Sequence, residues 1–256
     1  MEITQRGKRV VKRHGIAFML TWGAKRVAGL LTQSRRVLPD FIIIGAQRSG
    51  STSLYKYLIQ LPGILPGSMK EVHFFDAHYH KGVNWYRSFF PLAATMKNMA
   101  NSTKGNVVAG EATPYYLFYP HAPERISETL PNVKLIAILR NPVERAFSHY
   151  HHEVHLGVEQ LPFNEAIERE RKEIPAETRK ILENDRYRSF SHQNYSYLSR
   201  GRYIEQIELW RQYFPMENLL VLKSEDLFAN PGRVLKQACD FMGVEYPYSS
   251  DFRVHN

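Results

Sequence analysis

The stretch FIIIGAQRSGSTSL, residues 41–54, decides the fold of this chain. Residues 41–44 are a continuous apolar run, which is typical of a strand buried on both faces of a parallel sheet. Residues 45–50, GAQRSG, form a turn rich in small residues. Apolar residues then recur at helical spacing from Leu54 to Leu61, and Pro62 ends the pattern. A strand, a glycine turn and a helix in this order predict the start of a βαβ unit.

Further apolar runs predict three more buried strands, at 107–109, 134–139 and 219–222. Helical patterns lie at 122–130, 143–155, 163–172, 203–214 and 232–242. Strands that alternate with helices indicate a parallel sheet covered on both faces. We therefore predict an α/β protein with a P-loop-like three-layer fold, in which a central parallel sheet is flanked by helices. The polar and aromatic stretch from about 172 to 201 is interpreted as an insertion or lid.

The positive charge of the chain is concentrated at its N-terminus. Of the total charge of +9, residues 1–39 carry +8, because nine Lys and Arg side chains oppose Glu2 alone. We therefore divide the chain into a basic arm, 1–39, and a domain, 40–256. Because the charge does not form a groove across the domain, no specific nucleic-acid partner is expected. Such an arm is either solvated or in contact with an anionic membrane surface.

The arm also contains a candidate amphipathic helix. Its apolar residues share one helical face: Ile16, Met19, Leu20, Val27, Leu30 and Leu31. Such a helix either packs on the domain or lies on a membrane surface. No apolar run is long enough to span a bilayer, and no small-residue cleavage site of a signal peptide follows. With Cys239 as the single cysteine, we expect a cytoplasmic location, either free or peripheral to a membrane.

Residues 45–52, GAQRSGST, predict a phosphate-binding turn. A glycine-rich turn before a helix offers unpaired N–H groups and the positive end of the helix dipole. Compared with the pattern G-x-x-x-x-G-K-[ST], the glycines and Thr52 are in register, but Ser51 replaces the lysine. Without that point charge for a γ-phosphate, hydrolysis of ATP or GTP is not expected. Arg48 offers a cation three residues earlier.

Two further segments contain candidate site residues. Residues 70–76, KEVHFFD, read as a short extended segment in which Glu71 and His73 point to one side and Lys70 and Asp76 to the other. A glutamate among aromatic residues and cations is a candidate general base.

The second segment, residues 135–148, begins as a buried strand and continues as a helix. Arg140 follows the strand, at the edge of the sheet where α/β proteins bind ligands, and Ser148 lies about two turns into the helix. Together they form a candidate second phosphate clamp. The alternative is a surface ion pair between Arg140 and Glu144.

The same helix contains four histidines, at 149, 151, 152 and 155. Residues 152–155 fall one residue short of H-E-x-x-H, and no third ligand is evident, so we expect solvated side chains and no metal site.

Residues 45–54, 70–76 and 140–150, in this order and spacing, resemble the sulfotransferases that use 3′-phosphoadenosine 5′-phosphosulfate (PAPS). The resemblance is strongest to the heparan sulfate N- and 3-O-sulfotransferase branch. It spans about 41–244 and includes GEATPYY at 110–116, together with Gly201, Tyr203 and Trp210.

The resemblance implies transfer of a sulfuryl group from PAPS to a hydroxyl or amino group of a carbohydrate or other acceptor, with no metal. Glu71 would be the general base, and Arg48 stands where the branch usually has a lysine that stabilises the leaving oxygen. The acceptor side would contain Lys70, His73 and Asp76. The implied donor-binding residues are Gln47, Arg48, Ser49, Gly50, Ser51, Thr52 and Ser53 for the 5′ group, and Arg140 and Ser148 for the 3′-phosphate.

In that family a loop rich in Lys, Arg and Gly follows the last helix and closes over the donor. Because residues 252–256 stand where that loop should begin, we expect it to be missing from the domain 40–256. Two other functions remain open. One is a P-loop nucleotide phosphotransferase such as a kinase, against which Ser51 argues; the other is a non-catalytic nucleotide-binding module.

Overall fold

The computed structural model describes residues 23, 24 and 26–247. Its centre is a five-stranded sheet in the order β2-β3-β1-β4-β5, with every neighbouring pair parallel. The strands are β1 (Phe41–Gly45), β2 (Ile64–Pro66), β3 (Val108–Ala112), β4 (Lys134–Leu139) and β5 (Leu219–Lys223). The predicted α/β class and the parallel sheet are confirmed.

A helical stretch at 26–31 precedes the sheet. The α-helices that follow are α1 (Ser51–Leu58), α2 (Gly82–Arg87), α3 (Ala93–Thr103), α4 (Ala122–Thr129), α5 (Pro142–His155), α6 (Phe163–Glu183), α7 (Phe190–Asn194), α8 (Tyr203–Arg211), α9 (Ser224–Ala229) and α10 (Pro231–Met242). Shorter turns are the π-helical Phe74–His78 and the 3₁₀ segments Gln33–Arg35, Tyr79–Lys81, Ser199–Gly201 and Met216–Asn218.

Side chains of β1 alternate between two apolar cores, one on each face of the sheet. Phe41 and Ile43 pack in the core that contains residues of α1 and α10, whereas Ile42 and Ile44 pack in the core that contains Trp210 of α8. All four β1 side chains are fully buried. This arrangement confirms the three-layer architecture, because a strand can fill two cores only when both of its faces are covered.

The position of β1 creates the ligand-binding edge of the sheet. β1 lies between β3 and β4; the chain after β1 runs to the β2–β3 side, and the chain after β4 runs to β5 on the other side. In open parallel sheets, ligands bind at the carboxyl ends of strands where the order reverses in this way. The turn after β1 and the helix after β4 therefore lie beside each other.

Two local predictions were incomplete. The strand β2 escaped detection because it is three residues long and ends at a proline on the edge of the sheet. Helix α6 continues to Glu183 rather than to 172, through Pro175 in its interior. Ile174 and Ile181 are buried, so packing compensates for the hydrogen bond that the proline removes.

Part of the basic arm is attached to the domain. The guanidinium of Arg26 lies 3.7 Å from the ring centroid of Phe89, and Arg36 donates to the carbonyl of Phe90 at 2.6 Å. The predicted apolar face does not pack on the domain where it can be followed, because Val27 and Leu31 are 57% and 80% exposed. Ile16, Met19 and Leu20 lie outside the described residues. Among the residues placed, no helix combines the length and apolar character needed to cross a membrane.

Candidate active site

The turn between β1 and α1 has the backbone of an anion cradle. Gly50 caps α1 in the left-handed region, with φ of 90°, where only glycine is free of strain. The hydrogen bond from the N–H of Leu54 to the carbonyl of Gly50 (2.9 Å) closes the first turn of the helix. N–H groups of the preceding residues 51–53 are therefore available to an anion at the positive end of the helix.

The cradle and the candidate second phosphate site are in contact. The Nε of Arg48 donates to the hydroxyl of Ser148 on α5, at 3.2 Å. Burial lowers the pKa of Arg48, and the cation of Arg140 lowers it further. The guanidinium groups of Arg48 and Arg140 and the hydroxyl of Ser148, all of which can bind anions, therefore lie close together at the carboxyl ends of β1 and β4. The predicted neighbourhood of Arg48, Arg140 and Ser148 agrees with this geometry.

Arg140 forms the surface ion pair with Glu144 that is the alternative to a phosphate clamp. Its Nε and one terminal nitrogen donate to the same oxygen of Glu144, at 3.1 and 2.9 Å, with both side chains partly exposed. The hydroxyl of Tyr203 donates to the Arg140 carbonyl at 2.9 Å and fixes the end of β4. A bound phosphate would therefore compete with Glu144 for a guanidinium that is already positioned.

Residues 70–76 bring four ionisable side chains into one cluster. The Nζ of Lys70 lies 2.8 Å from one oxygen of Glu71, and His73 Nε2 lies 3.7 Å from the other. The Nδ1 of the same histidine lies 2.6 Å from the carboxylate of Asp76. His73 therefore sits between two carboxylates.

The extended conformation predicted for this segment is wrong. Glu71 and His73 have φ of 58° and 54°, in the left-handed region, and the π-helical turn Phe74–His78 follows. Strand alternation would have separated Asp76 from His73, whereas this turn brings the two side chains together. The side chain of Asp76 is only 4% exposed, and its contact with His73 joins it to this cluster.

Positive φ values mark the site. Among the described residues, the non-glycine positions with φ in the left-handed region are Arg48, Glu71, His73 and Lys104, and the first three belong to this site. Such conformations cost free energy and persist where the surrounding structure enforces them. Here the N–H of Glu71 donates to the Ala112 carbonyl at 3.0 Å, at the end of β3.

The cluster sets the charge states of its members. Burial by itself would raise the pKa of Glu71, but hydrogen bonds and charges of His73 and Lys70 outweigh it and lower that pKa to about 2. Burial likewise opposes the charging of His73, yet Asp76 and Glu71 raise its pKa to about 10. At neutral pH Glu71 is ionised and His73 is cationic. Glu71 can accept a proton, and His73 keeps its carboxylate oriented.

A cavity of about 760 Å³ joins the cradle to this cluster. Gln47, Arg48, Ser51 and Thr52 line one side of it, and Glu71 and His73 another. Sequence reasoning missed several further lining residues: Tyr115, His152, Glu153, Phe190 and Arg200. The spacing of four residues between Ser148 and His152 could have indicated a shared helix face. Phe190 and Arg200 lie within 172–201, the stretch interpreted as an insertion or lid, but the sequence predicted no individual residue of that stretch to line the site.

The expectation of solvated histidines is wrong for His149. This side chain is fully buried, with its Nε2 3.4 Å from Glu153, and burial lowers its pKa, with the charges of Arg200 and Arg145 acting in the same direction. Within residues 23, 24 and 26–247, no group of three or more His, Cys, Asp and Glu side chains is arranged to hold a metal ion. Residues 252–256, where the resemblance places the start of a donor-closing loop that we expect to be missing, lie outside the described residues.

Known proteins resemble this chain in sequence and in structure. The family model described as "Sulfotransferase domain" matches residues 38–251. The chain is 28% identical to "Membrane-associated sulfotransferase kil1" of Dictyostelium discoideum, over 86% of this chain and 59% of that protein. It is 33% identical to "Bifunctional heparan sulfate N-deacetylase/N-sulfotransferase 3" of Homo sapiens, over 83% of this chain and 23% of that protein.

A third relative, "Heparan sulfate glucosamine 3-O-sulfotransferase 3A1" of Mus musculus, is 30% identical over 86% of this chain and 49% of that protein. The chain thus spans less than two thirds of the length of each of these relatives. Among solved structures, a sulfotransferase from Alicyclobacillus acidocaldarius is 29% identical and superposes with a TM-score of 0.61, over 85% of this chain and 87% of that one.

Proposed function

Because this chain belongs to the sulfotransferase family, we propose that it transfers a sulfuryl group from PAPS to a hydroxyl or amino group. The observation that carries the proposal is the contact between Arg48 and Ser148, at 3.2 Å. It sets the cradle for a 5′-phosphosulfate beside the residues proposed for a 3′-phosphate, so that one nucleotide can occupy both. The kinase alternative is not favoured, because the cradle has Ser51 where a nucleotide triphosphatase has lysine.

The reaction follows from the placement of charge. The acceptor oxygen or nitrogen attacks sulfur in line, and the bond from sulfur to the bridging oxygen breaks, with its electron pair going to the 5′-phosphate. Glu71 takes the acceptor's proton, while Arg48 and the N–H groups of α1 neutralise the departing phosphate. By analogy with phosphoryl transfer, the protein mainly positions the reactants and stabilises charge. In this proposal side chains and N–H groups meet the donor's charge, so no step requires a metal ion.

The acceptor that we propose is a carbohydrate with anionic groups. Two of the relatives are named for heparan sulfate. A second cavity of about 500 Å³ is lined by Arg125, Arg186 and Arg188, and also by the carboxylates of Asp76 and Asp185. Guanidinium groups bind carboxylates and sulfates through paired hydrogen bonds, which suits an acidic sugar chain that extends from the transfer site.

We also propose that the basic arm contacts an anionic membrane surface. Its charge of +8 and the exposed side chains of Val27 and Leu31 support this, as does the relative named as membrane-associated. We place this contact on the cytoplasmic side, which suits the free thiol of Cys239. Sedimentation with phosphatidylserine vesicles should be stronger than with neutral vesicles, and Val27→Asp/Leu31→Asp should weaken it. Leu182→Asp, at a side chain 56% exposed on α6, is the control; equal sedimentation of both variants would contradict the proposal.

The experiment that tests the transferase proposal is calorimetry with 3′-phosphoadenosine 5′-phosphate (PAP), ADP and ATP. We expect PAP to bind more tightly than ADP, because the 3′-phosphate reaches Arg140 and Ser148. Preference for ATP with Mg²⁺ would instead favour a kinase. Tight binding of PAP without transfer from PAPS to any carbohydrate acceptor would favour a non-catalytic module.

A further inference from the structure

The phosphate-binding turn, residues 45–52, contains no lysine, but the side chain of Lys70 reaches it from outside this segment. The Nζ of Lys70 donates to the hydroxyl of Thr52, at 2.7 Å, across 18 positions of the chain. Thr52 is the second residue of α1, and it occupies the Ser/Thr place of the phosphate-binding pattern. The ammonium therefore lies beside the positive end of α1, where an anion would bind.

The same ammonium is paired with the candidate base. Lys70 Nζ lies 2.8 Å from Glu71 Oε1, and the side chains of Lys70 and Glu71 are only 27% and 38% exposed. Lys70 is thus the side chain that links the cradle to Glu71. Thr52 and Glu71, the two partners of this ammonium, both line the cavity, so the ammonium is held at its wall by groups that a transferred sulfuryl group would pass.

We propose that Lys70 acts on the sulfuryl group during transfer rather than on the acceptor, and that proton transfer to Glu71 releases its charge for this purpose. The inference rests on the proposed function and reassigns Lys70 from the acceptor side to the reacting group. It also explains how a cradle with Ser51 in the lysine position obtains a compact cation.

Before transfer, the negative charge of Glu71 compensates the positive charge of Lys70. As the acceptor forms its bond to sulfur, its proton moves to Glu71, and the bridging bond breaks with its electrons going to the 5′-phosphate. Glu71 becomes neutral at the moment when the bridging oxygen of the departing 5′-phosphate gains negative charge, and the sulfuryl oxygens keep theirs throughout. Lys70 then pairs with these oxygens instead.

This exchange makes the contact stronger in the transition state than in the ground state. An interaction of that kind raises turnover and leaves ground-state binding almost unchanged. A purely structural lysine would lack this signature, since its loss would reduce stability and nucleotide binding together. The distinction between binding of PAP and binding of a transition-state analogue therefore tests the role of Lys70.

The experiment is titration of PAP with and without orthovanadate, an oxyanion that can take up the five-coordinate geometry of in-line transfer and whose hydroxyl can give its proton to Glu71 in place of the acceptor. We expect vanadate to tighten binding of PAP to the wild type by about tenfold or more. In Lys70→Met this enhancement should fall below about threefold, while the Kd for PAP alone and the Tm stay near the wild-type values. Lys70→Arg should keep part of the enhancement. Lys56→Met, at an exposed lysine of α1, is the matched control and should keep all of it.

The outcomes separate this inference from the proposed function. If the wild type binds PAP no better than ADP, the transferase proposal fails, and the role of Lys70 fails with it. If PAP binds preferentially but vanadate has no effect on the wild type, or the same effect in Lys70→Met, only the role of Lys70 is overturned. A large loss of binding to PAP alone in Lys70→Met would also overturn it and make Lys70 a ground-state ligand.

Discussion

The guanidinium of Arg48 lies 3.2 Å from the hydroxyl of Ser148, although one hundred positions separate the two residues. One belongs to the turn after β1 and the other to the helix after β4, and these strands are neighbours in the sheet. This contact brings two anion-binding groups to the same edge, and it leads to tests in which donor binding and chemistry can be separated.

Removal of the candidate base should slow the chemical step without weakening donor binding. For Glu71→Gln we expect turnover to fall by about 10²–10⁴-fold, the usual contribution of general-base catalysis. PAP should bind at least as well as before, because no donor phosphate contacts this carboxylate in the proposed arrangement and its loss frees the charge of Lys70 beside the cradle. Steady-state kinetics and calorimetry measure the two effects, with Glu124→Gln at an exposed glutamate as the control. Unchanged turnover would exclude Glu71 as the base.

Selectivity for the 3′-phosphate should depend on Arg140. We expect Arg140→Ala to lose most of the preference for PAP over ADP, whereas Arg233→Ala, which removes an exposed arginine paired with Asp226, should keep it. A preference retained in Arg140→Ala would contradict the assignment.

The partner of Arg140 offers the converse experiment. Glu144 accepts two hydrogen bonds from Arg140 through a single oxygen, so it competes with an incoming phosphate. Glu144→Gln should therefore tighten PAP binding by a few-fold, on the order of 1 kcal/mol or less for an exposed pair. Competition of this kind should be weaker for ADP, which has no 3′-phosphate. Equal changes for PAP and ADP would mean that Glu144 acts on the cradle instead.

Gly50 should be required for both stability and donor binding. Its φ of 90° makes Gly50→Ala cost about 1–2 kcal/mol in the free energy of unfolding. The strain falls on the first turn of α1, so PAP should also bind more weakly. Gly243→Ala is the matched control, because Gly243 caps α10 in the same left-handed region, with φ of 67°, and an added Cβ would meet its nearest neighbour at 3.6 Å. Thermal unfolding and calorimetry should show destabilisation in both variants and weaker PAP binding only in Gly50→Ala.

The pH profile should reflect the unusual charge states of the cluster. Glu71 has a lowered pKa, about 2, and stays ionised until the pH falls towards that value. His73 has a raised pKa, so its stabilising charge is present below the unfolded value and is lost as the pH rises towards about 10. We therefore expect that protonation of Glu71 does not reduce kcat/KM for the donor at any pH above about 4. The value of kcat/KM should decline near pH 10, where His73 loses its proton.

His73→Gln supplies the comparison for this profile. Glutamine can still donate a hydrogen bond but does not titrate, so the decline near pH 10 should disappear from kcat/KM even if the overall rate is lower. The same variant should show a free energy of unfolding that varies less with pH on the alkaline side. An alkaline limb that persists in His73→Gln would assign it to another group.

The sheet could be predicted wherever its strands are long and buried on both faces. The run at 134–139 coincides with β4, and the run at 41–44 falls one residue short of β1. β2 could not be found, because the two apolar residues before the edge proline Pro66 are too few to show a strand pattern. Helix α6 extends past the predicted end because buried Ile174 and Ile181 hold a sequence of weak helical periodicity in place.

Within the site, local sequence patterns predicted which side chains take part, but they predicted wrong relative positions for some of these side chains. The period-two rule assigned His73 and Asp76 to opposite faces, yet their side chains lie 2.6 Å apart. The left-handed conformations of Glu71 and His73 explain the error. Neither residue type predicts such a conformation, which here depends on hydrogen bonds to β3 and to the hydroxyl of Tyr116.

The sequence by itself determined the class of fold, the family and the identity of most groups at the site, because apolar periodicity and the order of short motifs are local properties. Tertiary structure alone decided that Lys70 reaches Thr52, that Arg48 reaches Ser148, and that His73 is charged while Glu71 is a weakened base. Electrostatic energy depends on distance and burial, and both are set only when strands and loops that are remote in the chain pack against one another.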